Sequence, residues 1–190
     1  MIRPSLPVEY FERNRETILK EWFALLRLPT VGTDPKRLGE CARAAAWLKV
    51  FLRKLDFSVD IITPESGHPV PVVLAERPGN GTSTVLFYGH YDVQPEDPLE
   101  AWLTPPFEPT LINGRVYARG AQDNKGQVFG FLQGVKALIE AGVPLPTLRI
   151  VIEGQEESGS EGLTALAPSL RQRLQADVMM VCDTSCGPEN

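Results

Sequence analysis

The sequence predicts an α/β fold, a three-layer α/β/α arrangement with a largely parallel central sheet. Three observations carry this. Helical periods alternate along the chain with short apolar runs. The runs at 84–89, 147–152 and 177–182 are apolar almost throughout, as parallel strands covered on both faces are. Polar residues follow these runs directly (His90 and Asp92, then Glu156 and Glu157, then Asp183), at the carboxyl ends of strands where open α/β sheets gather ligands.

Each element has its own signal. At 8–28, Phe11, Ile18, Leu19, Trp22, Phe23, Leu25 and Leu26 recur at helical spacing until Pro29 stops the pattern, and 35–55 resumes it through Leu38, Ala42, Ala45, Leu48 and Leu52. The β-branched runs 57–63 and 70–76, bounded by Pro- and Gly-containing turns, read as strands able to pair with each other. After the strand at 84–89 comes a loop rich in proline, then Asn113-Gly114, a strong turn signal that opens a short strand at 115–118. A helix is expected over 126–141, closed by Gly142 and Pro144, and another over 160–174; between and after them lie buried strands at 147–152 and 177–182.

Composition bounds the function. A length of 190 residues and a charged fraction of 23% suit one globular unit. The net charge of −5 provides no basic stripe for nucleic acid. No apolar run reaches the ~18 residues of a membrane span, and Met1-Ile-Arg-Pro-Ser lacks the apolar core of a signal peptide. Cys41, Cys182 and Cys186 are too few for a disulfide scaffold, which favours a reducing compartment and makes the cytoplasm the expected location.

The residues at the rim point to metal. Asp123 joins them on the loop 120–126, just before a helix whose backbone N–H groups favour a carboxylate. Carboxylates gathered without enough Lys or Arg repel one another unless cations neutralise them. One imidazole with several carboxylate oxygens suits zinc, and also manganese or cobalt. Other residues have plainer readings: His68 a solvated loop, Cys182 core packing, and Trp102, Phe107 and Tyr117 anchors for the Pro-rich loop. Arg119 and Lys125, flanking the metal loop, are either ordinary surface cations or a balance for its charge.

Three ordered motifs, Gly89-His-Tyr-Asp-Val-Gln-Pro95, the run 114–127 containing Arg-Gly-Ala-Gln-Asp-Asn-Lys-Gly, and Glu153-Gly-Gln-Glu-Glu-Ser-Gly-Ser160, resemble the aminoacylase/carboxypeptidase family of di-metal peptidases. The similarity is greatest to its carnosine and cytosolic non-specific dipeptidase branch. The resemblance implies two divalent cations, with His90 and Asp183 on one, Glu157 on the other and Asp123 bridging both. It implies that Asp92 orients the His90 ring, that Glu156 is the general base, and that the Asp123–Asn124 peptide bond is cis. The implied activity is hydrolysis of dipeptides or short peptides by a water shared between the cations. The same site would also suit an N-acyl amino acid amidohydrolase, and the scaffold alone would suit a non-catalytic metal-binding or interaction module.

The sequence also departs from the family pattern. Relatives continue into a lid or dimerisation domain and return to supply a last His ligand, whereas the only other histidine here is His68. Residues 1–190 are therefore expected to be the amino-terminal portion of the catalytic domain, weak in metal binding and in turnover by itself. Full-length relatives of this kind are expected to be homodimers built mainly through the lid, which leaves the oligomeric state of this portion open.

Overall fold

A computed structural model describes residues 6–65 and 69–184. The element order is α1 (Leu6–Leu26), α2 (Leu38–Arg53), β1 (Ser58–Ile62), β2 (Val72–Arg77), β3 (Thr84–His90), β4 (Thr110–Ile112), β5 (Arg115–Tyr117), α3 (Lys125–Glu140), β6 (Thr147–Glu153), α4 (Glu161–Leu170) and β7 (Val178–Val181). Five strands form the main sheet in the order β1-β2-β6-β3-β7. β2 pairs antiparallel with both β1 and β6, while β6 and β7 flank β3 in parallel. Only β2 therefore runs against the others, and the sheet is largely parallel as expected.

The two-residue period of the strands sorts side chains between two cores. Val73, Ala75, Phe87, Leu148, Ile150 and Ile152 face one side, where they pack with Ile18 and Leu25 of α1, Leu48 and Leu52 of α2, and Phe129 and Leu132 of α3. Val72, Leu74, Leu86 and Val151 face the other side, against Leu170, Leu166 and Leu163 of α4. Helices thus cover both faces, which completes the three layers. The Phe87 and Phe131 rings stack with centroids 3.8 Å apart, fixing α3 against β3.

The chain passes from β3 through α3 to β6 on one side of β3, then through α4 to β7 on the other. Because these three strands are parallel, their carboxyl ends share one rim. This places the segments after His90, Glu153 and Val181 side by side.

Several expectations change in detail. The second helical segment begins as a 3-10 turn, Pro35–Arg37, capped by the Asp34 carboxylate, which accepts from the Lys36 N–H at 2.9 Å. The Asn113-Gly114 turn, with φ of 50° and 78°, closes a two-stranded hairpin, so residues 110–112 form a strand that the sequence pattern did not reveal. The largest correction concerns β7. Its apolar sequence predicts burial, yet Val178, Met179, Met180 and Val181 are 54%, 56%, 40% and 52% exposed. β7 is an edge strand bonded to β3 alone, and its side chains join neither core. Cys182, just beyond it, does pack against the core, as expected. His68 lies outside the described residues.

Candidate metal centre

β3 and β6 end in register, with His90 opposite Glu153. Close approach of the helix start is possible because Gly89 lacks a side chain: a Cβ there would stand 2.5 Å from the Val128 side chain and 2.8 Å from Asn124 Oδ1. Asn124 uses that proximity. Its Oδ1 accepts from the His90 N–H at 3.1 Å, and its Nδ2 donates to the Cys182 carbonyl, to Gln127 Oε1 at 2.7 Å and to Asp183 Oδ1 at 3.3 Å. One buried amide therefore ties the end of β3 to the chain leaving β7.

Asp92, also buried, makes the corresponding link to the β6 side. Its Oδ1 accepts from His90 Nδ1 at 3.2 Å and from the Glu156 N–H at 3.3 Å, and its Oδ2 accepts from the Glu157 N–H at 3.1 Å. A carboxylate can only accept here, so Nδ1 carries the proton and Nε2 is left as the ring's outward nitrogen. Gln94 then holds Glu157, donating from Nε2 to its Oε2 at 2.7 Å.

The fully buried His90 Nε2 has no hydrogen-bond partner among the described residues. Carboxylates surround it: Asp123 Oδ1 at 3.1 Å, Asp183 Oδ2 at 3.6 Å and Glu156 Oε2 at 3.7 Å. Donor atoms of His90, Asp123 and Glu157 lie within 4.8 Å of one another, and so do those of His90, Glu156 and Asp183. The structure thus brings together all the residues singled out at the rim (His90, Asp92, Asp123, Glu156, Glu157 and Asp183), and the peptide bond between Asp123 and Asn124 is cis.

The electrostatics match an acceptor cluster awaiting positive charge. Burial opposes charging of the His90 ring, but hydrogen bonding and attraction from Asp92, with Glu156 and Asp183 beyond, outweigh it and raise its pKa to about 9. Burial pushes the Glu156 carboxyl above its usual range, with repulsion from Asp183 and Glu157 adding to it, and burial likewise raises Glu157. A divalent cation held by these residues would relieve both tensions, supplying positive charge beside Nε2 and screening the carboxylates from one another. The donor set, an unpartnered buried imidazole nitrogen among carboxylate oxygens, fits such ions.

Neither flanking cation balances this charge from the surface. Lys125 is fully buried, where its Nζ donates to the Leu28 carbonyl at 2.6 Å and to that of Leu25 at 3.4 Å, and burial lowers its pKa to about 7. Arg119 lies over the Trp102 ring, 5.0 Å from its centroid, and donates to the Pro95 carbonyl at 2.9 Å. With Trp102 Nε1 donating to the Glu96 carbonyl at 2.8 Å, this anchors the Pro-rich loop, as the aromatic content suggested. Sequence reasoning gave Asn124 no side-chain role; the available signal was a polar amide directly after the expected bridging carboxylate, at the start of α3.

Fold and site together define a three-layer α/β domain with a candidate cation cradle at the carboxyl rim of its parallel strands. Residues 86–189 match the peptidase family M20/M25/M40, and the chain belongs to that family. It is similar to the Beta-Ala-His dipeptidase of Homo sapiens, 37% identical over 170 residues that cover 84% of this chain and 33% of that protein. It is also similar to the Cys-Gly metallodipeptidase dug1 of Schizosaccharomyces pombe, 40% identical over 122 residues, 61% of this chain and 26% of that one. Among solved structures, human carnosine dipeptidase 1 superposes with a TM-score of 0.85 at 30% identity, covering 96% of this chain and 42% of that one. The motif resemblance and its dipeptidase branch are thereby borne out. The chain spans about a third of the length of the first of these relatives.

Proposed function

We propose that this chain is the amino-terminal portion of a metallopeptidase catalytic domain and that the protein hydrolyses dipeptides or short peptides. The observation that carries the reading is the buried, unpartnered His90 Nε2 faced by the carboxylates of Asp123, Asp183 and Glu156. Family membership and the dipeptidase relatives support the substrate class. His90 and Asp183 would hold one divalent cation, Glu157 a second, and Asp123 both; zinc, manganese and cobalt all suit these donors. When bound, such cations supply Lewis acidity that acidifies water and polarises a carbonyl.

The chain's own residues do the rest. Asp92 fixes the tautomer and orientation of His90 through Nδ1 and, through the Glu156 and Glu157 N–H groups, sets the turn that presents both glutamates. Glu156 takes a proton from water as its oxygen attacks the scissile carbonyl carbon. The same carboxyl returns that proton to the nitrogen as the C–N bond breaks, leaving a free acid and a free amine. The sparse cysteines support a reducing, cytoplasmic setting for the protein.

The test combines metal binding with turnover. Zinc, manganese and cobalt are titrated calorimetrically into the metal-stripped full-length protein of which this chain is proposed to be a portion, and dipeptide hydrolysis is followed on the same samples. Glu156→Gln should keep metal and lose about 10²–10⁴-fold in rate, while Asp123→Asn should lose metal as well. Absence of metal binding by the wild type, or full turnover in Glu156→Gln, would refute the reading.

A further inference from the structure

The turn that carries Glu156 and Glu157 is held from behind as well as from the rim. β6 ends at Glu153, and the chain reaches α4 through a 3-10 turn, Glu156–Ser158, followed by Gly159 and Ser160. Side chains two apart on a strand share a face, so Glu153 lies with Val151 on the side of the sheet that α4 covers, as does Tyr88, opposite Val151 on β3. There a single oxygen gathers three elements. Glu153 Oε1 accepts from the Tyr88 hydroxyl at 2.8 Å and from Ser160 Oγ at 2.9 Å. β3, the end of β6 and the N-cap of α4 thus meet at one carboxyl, which is only 1% exposed.

The backbone of the turn closes around the same contact. Ser160 has φ of 57°, a left-handed conformation that a serine keeps only where its surroundings fix it. Its N–H donates to the Gln155 carbonyl at 2.8 Å, and the Gly162 N–H donates to Gln155 Oε1 at 2.8 Å. A Cβ on Gly162 would stand 2.4 Å from that oxygen, so the first turn of α4 sits directly against the loop. Fixing residue 160 to residue 153 therefore fixes the loop between them, while Asp92 holds the Glu156 and Glu157 N–H groups from the other side. A buried carboxyl is a costly way to fill space, since an apolar side chain would avoid its desolvation. Position is what the carboxyl adds.

We infer that Glu153, clasped by the Tyr88 and Ser160 hydroxyls, is a positioning residue for the proposed hydrolysis, closing the turn from which Glu156 acts. The inference rests on the assignment of Glu156 as the base, and it adds residues that stand behind the six at the rim. Asp92 sets the turn through its amides and Glu153 through its closure, so removing the clasp leaves the Asp92 contacts in place. Loss of the clasp loosens Glu156 without removing it, which lowers turnover more than substrate binding.

The test uses the full-length protein of which this chain is proposed to be a portion. Ser160→Ala, which removes one hydroxyl, and Glu153→Leu, which removes the shared acceptor, should each lower kcat about 10-fold or more with KM within about twofold of wild type. Ser160→Ala added to Glu153→Leu should cost nothing further, because both break the same contact. Glu153→Gln keeps an acceptor oxygen and should regain most of the rate lost in Glu153→Leu. A second readout needs no activity. In metal-stripped protein, the amide hydrogens of Glu156 and Glu157, followed by hydrogen–deuterium exchange mass spectrometry of their peptide, should exchange about fivefold faster in Ser160→Ala than in wild type. Wild-type kcat in Ser160→Ala, additive losses in the double variant, or a loss in Glu153→Gln equal to that in Glu153→Leu would each overturn the inference. Unchanged amide exchange in Ser160→Ala would do so even if Glu153→Leu failed to fold. Absence of turnover in the wild type would instead defeat the hydrolytic reading, leaving amide exchange to decide whether the clasp holds the turn.

Discussion

β6 and β7 are the two parallel neighbours of β3, and they look alike in sequence: Leu-Arg-Ile-Val-Ile in one, Val-Met-Met-Val in the other. Their environments differ completely. Ile150, Val151 and Ile152 of β6 are buried between two helical layers, whereas every residue of β7 is exposed. Apolar, β-branched composition therefore reports that a segment forms a strand in this sheet, and the neighbours decide whether it is core. The same asymmetry runs on into the site. The glutamates after β6 are fastened through two backbone N–H groups to Asp92, while Asp183 after β7 is held, among the described residues, by the Asn124 amide and the facing imidazole.

The most forceful way to break the comparison is to truncate matched positions. Ile150→Ala removes a side chain packed in the core and should cost about 2–5 kcal/mol in urea unfolding. A loss below about 1 kcal/mol would mean that β6 is no better packed than β7.

A second prediction tests the anchored half of the site. Asp92→Ala leaves the His90 Nδ1–H and the Glu156 and Glu157 N–H groups without their shared acceptor. Metal affinity should fall about 10–100-fold by calorimetry, the size expected when a ligand's orienting carboxylate is lost. If affinity is unchanged, the turn carrying the glutamates is held by something other than Asp92.

The looser half should respond less. Asn124→Ala removes the contacts to the Cys182 carbonyl and Asp183 together with the acceptor for His90 N–H, and should cost about 1–2 kcal/mol of stability in urea unfolding. An effect larger than that of Ile150→Ala would show that the β7 side depends on this one amide more than β6 depends on its core.

Much of this was legible beforehand, for physical reasons that also mark where legibility stopped. His90, Glu156 and Glu157 stood out because polar groups directly after buried strands must gather at one rim once those strands are parallel. The order of the motifs added Asp123 and its cis peptide bond. What could not be read depends on three-dimensional neighbours. Lys125 was open to two readings, a surface cation or a balance for the charge of the metal loop, and neither anticipates its burial against the Leu25 and Leu28 carbonyls at and just beyond the end of α1. Asn124 has no periodicity or charge to advertise its role, and the three-residue strand 110–112 is too short to show a pattern. β7 failed for a related reason, since an edge position is a property of sheet order and sheet order is not local.

The smallest effect is expected on β7 itself. Met179 is 56% exposed and belongs to neither core cluster, so Met179→Lys should change unfolding free energy by no more than about 0.5 kcal/mol. Its consequence should appear in solution behaviour. An exposed apolar edge strand is a template for pairing with another chain, and a lysine on such an edge opposes that pairing. The substituted chain should therefore show less concentration-dependent association in sedimentation than the wild type, with unfolding curves that overlay. A loss of stability comparable to Ile150→Ala would instead place β7 inside a core and remove the asymmetry between the two strands.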